Sequence, residues 1–451
     1  MIFISIFFGY EATIFPQTPQ GFKGVHQLHM EEFGRDYIPV PDLLKPSEVS
    51  PLIERSGSPR KYVVGYHPYW SNGLQTAYQW DKLTVINYFN IAVGSDGSIT
   101  DNNGWPNNTL INKAHNNGVR VQLAVTNFST SGLSTLLGSA ENRSRAIRNI
   151  VKVMSDGNGD GIDIDFEGVP GSRRSQYVSF MRELRDSLDA VNPNYTLSMA
   201  SPAVDWSNAY NYGELVKICD WLFIMGYNYH WRTGPTAGPV SPFDSNSNIN
   251  LLNSVADYLS KTANDTDKLV LGLPYYGYNW PTVSDGGTAD TDVRENAEAN
   301  SVLYRSAKSL VTGYGRKWHD LSKSPWYSYQ VSSGWFITWY DDEESLLAKY
   351  NLAKNNNLKG VGMWALGYDD GFNQLWTALG KYLQTSAAPS VPVNFRIAAD
   401  TTGKILISVK EDRDAGSYEF FISSDGENYR VLETSTTPSI EFNDAGSDSI
   451  Y

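Results

Sequence analysis

The chain has 451 residues, with 36 Lys and Arg against 49 Asp and Glu, giving a net charge of -13. That excess of acid excludes a partner held through a phosphate backbone, so no nucleic acid is expected. A single cysteine, Cys219, excludes an intrachain disulfide, and no stretch approaches 18 consecutive apolar residues, so no transmembrane helix is expected.

In chain order, the apolar run Met1 to Phe8, followed by Gly9 with no Lys or Arg before it, reads as a clipped secretory signal. Residues 1–58 are therefore taken as a signal-like and leader segment, and the product as secreted or held at the surface of a bacterial cell. Apolar strand-like runs follow near 62–66, 83–91, 119–125, 161–167, 195–200, 221–227, 268–274 and 359–365. Between several of them lie helical stripes, one of Ile147, Ile150, Val151 and Met154 and another of Tyr177, Phe180, Met181, Leu184 and Leu188. Strand then helix, with strands apolar on both faces, predicts an α/β fold, a closed parallel (β/α)8 TIM barrel over residues 59–384. Functional residues are then expected at the C-terminal ends of the strands. The connection from Tyr278 to about Trp335 exceeds what a barrel loop needs and predicts a small insertion over the rim. Residues 385–392, rich in small residues and proline, read as a linker, and residues 393–451 carry short alternating strands with a turn at Asp425-Gly426.

Within this order the segment Asp160-Gly-Ile-Asp163-Ile-Asp165-Phe-Glu167 stands apart. Alternation along a strand puts Asp163, Asp165 and Glu167 on one face and Ile162, Ile164 and Phe166 on the other. Three crowded acids repel, and relief comes from keeping a proton in the row, which makes a strand-end acid such as Glu167 a candidate general acid. Asp156 to Glu167 also satisfies the spacing of an EF-hand calcium loop. The Gly168-Val-Pro170-Gly171 that comes next cannot start the exiting helix such a loop needs, so the calcium reading is set aside. Asp160 reads as a turn or strand-entry residue with an architectural role.

Ordinary glycoside hydrolysis needs two carboxyl groups on opposite sides of the sugar ring, which neighbours on one strand do not provide. A 2-acetamido group can supply the nucleophile itself by closing an oxazolinium ring, and the protein must then hold and polarise that amide. The octapeptide resembles the signature of glycoside hydrolase family 18, the chitinases and related N-acetylglucosaminidases. Similar resemblance is carried by Val64-Gly-Tyr66-His-Pro-Tyr-Trp70, Met225-Gly-Tyr227-Asn228, Gly272-Leu-Pro-Tyr-Tyr-Gly277 and Gly360-Val-Gly-Met-Trp364-Ala-Leu-Gly-Tyr-Asp369. The resemblance implies Glu167 as acid/base, Asp165 as orienter of the acetamide and Asp163 as support for Asp165. It further implies Tyr227 as donor to the acetamide oxygen and Trp364 as floor of the sugar site, with Met225, Asn228 and Tyr66 beside the substrate. Tyr66 reads equally well as rim packing.

Two departures qualify the resemblance. Asn228 stands where many relatives carry Asp, and Ala124-Val-Thr-Asn-Phe128 replaces the Ser and paired glycines of typical chitinases, resembling the branch of cortical and cell-wall N-acetylglucosaminidases. The expected activity is retaining cleavage of β-linked N-acetylglucosamine in chitin, chito-oligosaccharide or cell-wall glycan by a monomer. The alternative is a non-catalytic chitinase-like lectin. The 13 Trp and 28 Tyr suit sugar faces. No cofactor or metal is expected, because an acetamide nucleophile replaces a metal-activated water and the histidines show no ligand spacing. Residues 393–451 resemble the start of a fibronectin type III sandwich, truncated, with Val409 about where that family carries Trp.

Overall fold

The computed structural model describes residues 23–38, 42, 44–53, 61–286 and 290–384, together with five strands between residues 396 and 443. All eight expected barrel runs form strands: β1 (Tyr62–Pro68), β2 (Val85–Val93), β3 (Arg120–Asn127), β4 (Gly161–Phe166), β5 (Thr196–Pro202), β6 (Trp221–Met225), β7 (Leu269–Pro274) and β8 (Gly360–Trp364). They are parallel and neighbour one another in sequence order, and β1 pairs with both β2 and β8, which closes the barrel. Nearly every strand residue is buried on both faces, as continuous Val, Ile and Leu runs require. Gly161 opens β4 where a Cβ would lie 2.2 Å from the Thr196 carbonyl oxygen, so a side chain there would force β4 and β5 apart.

The two apolar stripes lie on the helices Ala140–Asp156 and Arg174–Val191, and every residue of both stripes is buried. Asp156 ends the first helix, but Gly161–Phe166 runs as the extended strand β4, which carries Glu167 to the opposite end from Asp160, so the segment does not wrap into a calcium loop. The strand–helix alternation fails between β1 and β2, where three 3-10 turns, Tyr69–Ser71, Leu74–Ala77 and Trp80–Lys82, replace a helix. Pro68 stops the strand, and Gly73, at φ +98°, takes a left-handed turn that a helix interior does not contain.

The expected rim insertion lies between β7 and β8. Strands Tyr276–Thr282, Asn300–Leu303, Lys317–His319, Ser324–Val331 and Gly334–Trp339 form an antiparallel sheet with the helix Tyr304–Tyr314. Trp326 and Trp339 stack across it with centroids 5.4 Å apart. Asp42 and residues 44–53 contact the helix Asn108–Asn116: Asp42 accepts from the Thr109 amide and hydroxyl, and the Ser50 carbonyl meets His115 Nδ1 at 2.7 Å.

A second compact unit begins at Gln384. Its described strands are Arg396–Ala399, Lys404–Ser408, Tyr418–Ile422, Arg430–Ser435 and Ser439–Asn443, in one three-stranded and one two-stranded antiparallel sheet. Residues 1–22, the linker 385–392, Val409 and the Asp425-Gly426 turn lie outside the described residues.

Candidate active site

The carboxylate row sits at the C-terminal end of β4. Asp163 and Asp165 are fully buried, and Glu167 follows the last strand residue. Two bonds fix that end: Tyr210 donates to the Phe166 carbonyl at 2.8 Å, and the Glu167 amide donates to the Asn127 carbonyl at 3.3 Å. Asp163 accepts from the Tyr66 hydroxyl and from the Ser198 hydroxyl, each at 2.6 Å. Burial pushes Asp163 up to about 6 in spite of these two donors. Burial pushes Asp165 up to about 8, and burial reinforced by the Asp165 charge pushes Glu167 up to about 8 as well. Glu167 therefore holds a proton at neutral pH and has one to give.

Strands elsewhere around the barrel bring the other residues toward the row. Met225 ends β6 and Tyr227 comes two residues later, buried and facing the row. Asn228 has φ +65°, and its amide oxygen accepts from the Tyr278 hydroxyl at 3.1 Å, so an uncharged side chain is satisfied where a carboxylate was the expected type. Trp364 ends β8 and is fully buried. Tyr66, on β1, is also fully buried and commits its hydroxyl to Asp163. Asp160 stands at the opposite end of β4, accepting from the Val121 amide at 2.7 Å and meeting His115 Nε2 at 2.9 Å. Burial alone would lower His115, but the Asp160 bond and charge outweigh it and its pKa is raised. Ser198 was not anticipated, because a serine inside an apolar strand carries no signal of its own.

Nor did the sequence place anything from the leader in this cleft. Helix Val25–His29 runs into the turn Met30–Gly34, and the pair lies among the strand ends. His26 Nδ1 is 2.7 Å from Asp165 Oδ2, and His26 Nε2 is 2.8 Å from the Tyr227 hydroxyl. Its ring stacks on Trp364 with centroids 3.8 Å apart and planes at 27°. Burial lowers the His26 pKa to about 4 and drives His29 well below its usual value, so both rings are neutral. The Trp364 indole N–H donates to His29 Nδ1 at 3.0 Å. Gly24 lies against Glu167, where a Cβ would come within 1.4 Å of Oε2. The i, i+3 spacing of His26 and His29 on one helix face was the available hint. Beside Gly24 and Glu167 a cavity of about 390 Å³ stays open, lined by Phe128, Val169, Trp206 and Met225 among others.

His26, Asp165 and Glu167 also bring potential ligand atoms within 4.8 Å of one another. With protons favoured on both acids near neutrality, a cation would have to displace them first.

Among known proteins, the chain is 27% identical over 227 residues to the uncharacterized glycosylase YvbX of Bacillus subtilis, covering 49% of this chain and 60% of the relative. It is 26% identical to the cortical fragment-lytic enzyme of Bacillus anthracis, covering 66% and 67%, and 26% identical to chitinase A1 of Niallia circulans, covering 70% and 51%. The chain spans 56 to 60% of the length of three of the curated relatives it matches. Solved structures share the fold: the spore cortex-lytic enzyme SleL of Bacillus cereus (TM-score 0.61, 23% identity, covering 73% of this chain and 76% of that one) and a chitinase of Trichuris suis (TM-score 0.64, 22% identity, covering 72% and 100%). The family model described as Glycosyl hydrolases family 18 matches residues 62–369, which takes in every barrel strand from the first residue of β1 to the last of β8, and the chain belongs to that family.

Proposed function

We propose that the barrel is a retaining glycosidase that cleaves β-linked N-acetylglucosamine by substrate-assisted catalysis. One observation carries the reading. Asp165 and Tyr227 face each other across a gap bridged by a single small planar ring, over the Trp364 indole and beside a protonated Glu167. A 2-acetamido group fits that gap, with its N–H on Asp165 and its oxygen accepting from Tyr227. Glu167 gives its proton to the glycosidic oxygen as the C1–O bond breaks, and the acetamide oxygen closes onto C1 to form an oxazolinium ion. The positive charge growing on nitrogen pulls down the pKa of Asp165, which meets it as a carboxylate, while Asp163, held by Tyr66 and Ser198, takes up the proton that Asp165 gives away. Water entering from the vacated side loses its proton to Glu167 and opens the ring, which returns the original anomer.

The relatives named for cortical fragments and chitin support a substrate built on N-acetylglucosamine, either cell-wall glycan or chito-oligosaccharide. The cavity beside Glu167 fits the leaving part of the chain. Hydrolysis of an N,N'-diacetylchitobiosyl fluorophore tests this, with Glu167→Gln expected to lose on the order of 10²-fold or more in turnover. Proton NMR of the first product should show the β-anomer, and the de-acetylated analogue should resist cleavage. An inverted product, or equal cleavage of both substrates, would overturn the mechanism; tight binding without turnover would move the barrel to the lectin class. Residues 393–451 we read as a fibronectin type III-like module, supported by two small antiparallel sheets, and the whole as a secreted or surface protein.

A further inference from the structure

Residues 23–38 fill the part of the cleft that a glycosidase of the proposed kind gives to sugar, and the role inferred for them rests on that proposed function. A secondary amide offers one N–H and one carbonyl oxygen. A neutral imidazole offers one N–H and one lone-pair nitrogen, about the same distance apart. His26 places its two nitrogens on Asp165 and Tyr227 and its face on Trp364, the same three groups that the mechanism gives to the acetamide and the sugar ring. Gly24 then lays bare backbone against the Glu167 carboxyl, where no side chain would fit.

The rest of the segment is built to stay. Glu32 accepts from the Ser301 hydroxyl at 2.7 Å and pairs with Arg232 at 3.6 Å, tying the turn to the rim. Lys23 and Gln27 both bond Glu31, at 2.7 and 3.0 Å, which stiffens the turn from within. Gly34 packs where a Cβ would come within 2.3 Å of the Tyr69 hydroxyl, and the Tyr37 ring meets Tyr69 with centroids 5.8 Å apart. A few residues later Asp42 is bound to Thr109. So short a tether keeps the segment at an effective concentration in the millimolar range, which a free oligosaccharide must outcompete.

We propose that residues 23–38 are an intramolecular pseudo-substrate, a peptide ligand whose His26 imidazole stands in for the 2-acetamido group, and that the chain is latent until this segment is withdrawn. Withdrawal by cutting has an accessible place: Arg35 and Asp36 are exposed, and Ile38 is 84% exposed.

The test uses the full chain carrying Glu167→Gln, so that sugar is bound and not turned over, with a sequence-specific protease site placed across residues 35–38. Triacetylchitotriose binding is measured by calorimetry before cutting and after the released fragment is removed by gel filtration. Cutting should tighten binding at least tenfold, and a synthetic peptide of residues 23–38 added to the cut protein should reverse the gain. Gly24→Leu in the uncut chain should reproduce it, because the new side chain meets the general acid and expels the segment. Equal affinity before and after cutting, with no effect of the peptide, would overturn the proposal. If the peptide binds the cut protein and chitotriose binds neither form, the segment's docking stands and the sugar assignment fails instead.

Discussion

At the residue scale, the two sides of the His26–Asp165 contact titrate in opposite directions. Asp165 keeps its proton up to about 8 because it is buried, whereas an unfolded carboxyl loses it near 4. The stability this burial leaves intact in acid is lost as pH rises through that window. His26 stays neutral down to about 4 against an ordinary 6.5, so its contribution is present above pH 6.5 and lost as pH falls toward 4. Thermal melts from pH 4 to 9 should show this. Asp165→Asn should flatten the alkaline decline and His26→Asn the acid one. Slopes unchanged from the parent would mean that neither group carries the protonation described.

The carboxylate row was legible in the sequence because a strand period of two leaves Asp163, Asp165 and Glu167 one arrangement once the isoleucines are buried. Tyr227 and Trp364 were legible only through resemblance, since their strands meet β4 by closing a barrel and no spacing reports that. His26 was legible only as one of two histidines at i, i+3 spacing, since it reaches Asp165 across 139 positions and no local pattern reports that contact.

At the element scale, β4 is held from both ends by different means. Its C-terminal end depends on Tyr210 and Asn127, and its N-terminal end on Asp160, which satisfies the Val121 amide and the His115 ring. Removing the Asp160 carboxylate leaves those two donors short of a partner inside the wall. Asp160→Ala should cost about 1–3 kcal/mol in urea denaturation, with chitotriose affinity of the cut protein nearly unchanged, because the substitution is at the far end of the strand. Loss of sugar binding without loss of stability would place Asp160 in the cleft instead. The missing helix between β1 and β2 comes from local chemistry, since Pro68 and Gly73 interrupt the segment on which an amphipathic stripe would have to form. The rim sheet was foreseen as extra chain and not as five strands, because its pairings join residues up to about sixty positions apart.

At the scale of the whole molecule, Glu167 and Asp165, Tyr227 and Trp364, for which we propose the roles of acid, amide-binding pair and aromatic floor, come from three different strand ends, and residues 23–38 touch all of them at once. Latency of this kind is a property of the intact chain. Assays of the uncut protein are expected to understate what the barrel does, and a lag that shortens with added protease is the kinetic signature to seek.

Cys219, the only thiol in the sequence, is buried at the foot of β6 with its pKa pushed up by that burial. It is therefore slow to react with maleimides. Ile38→Cys would give a single labelling position at the exposed exit of the cleft-bound segment, and a fluorophore there should change its emission anisotropy when oligosaccharide evicts the helix, turning occupancy of the cleft into an optical signal.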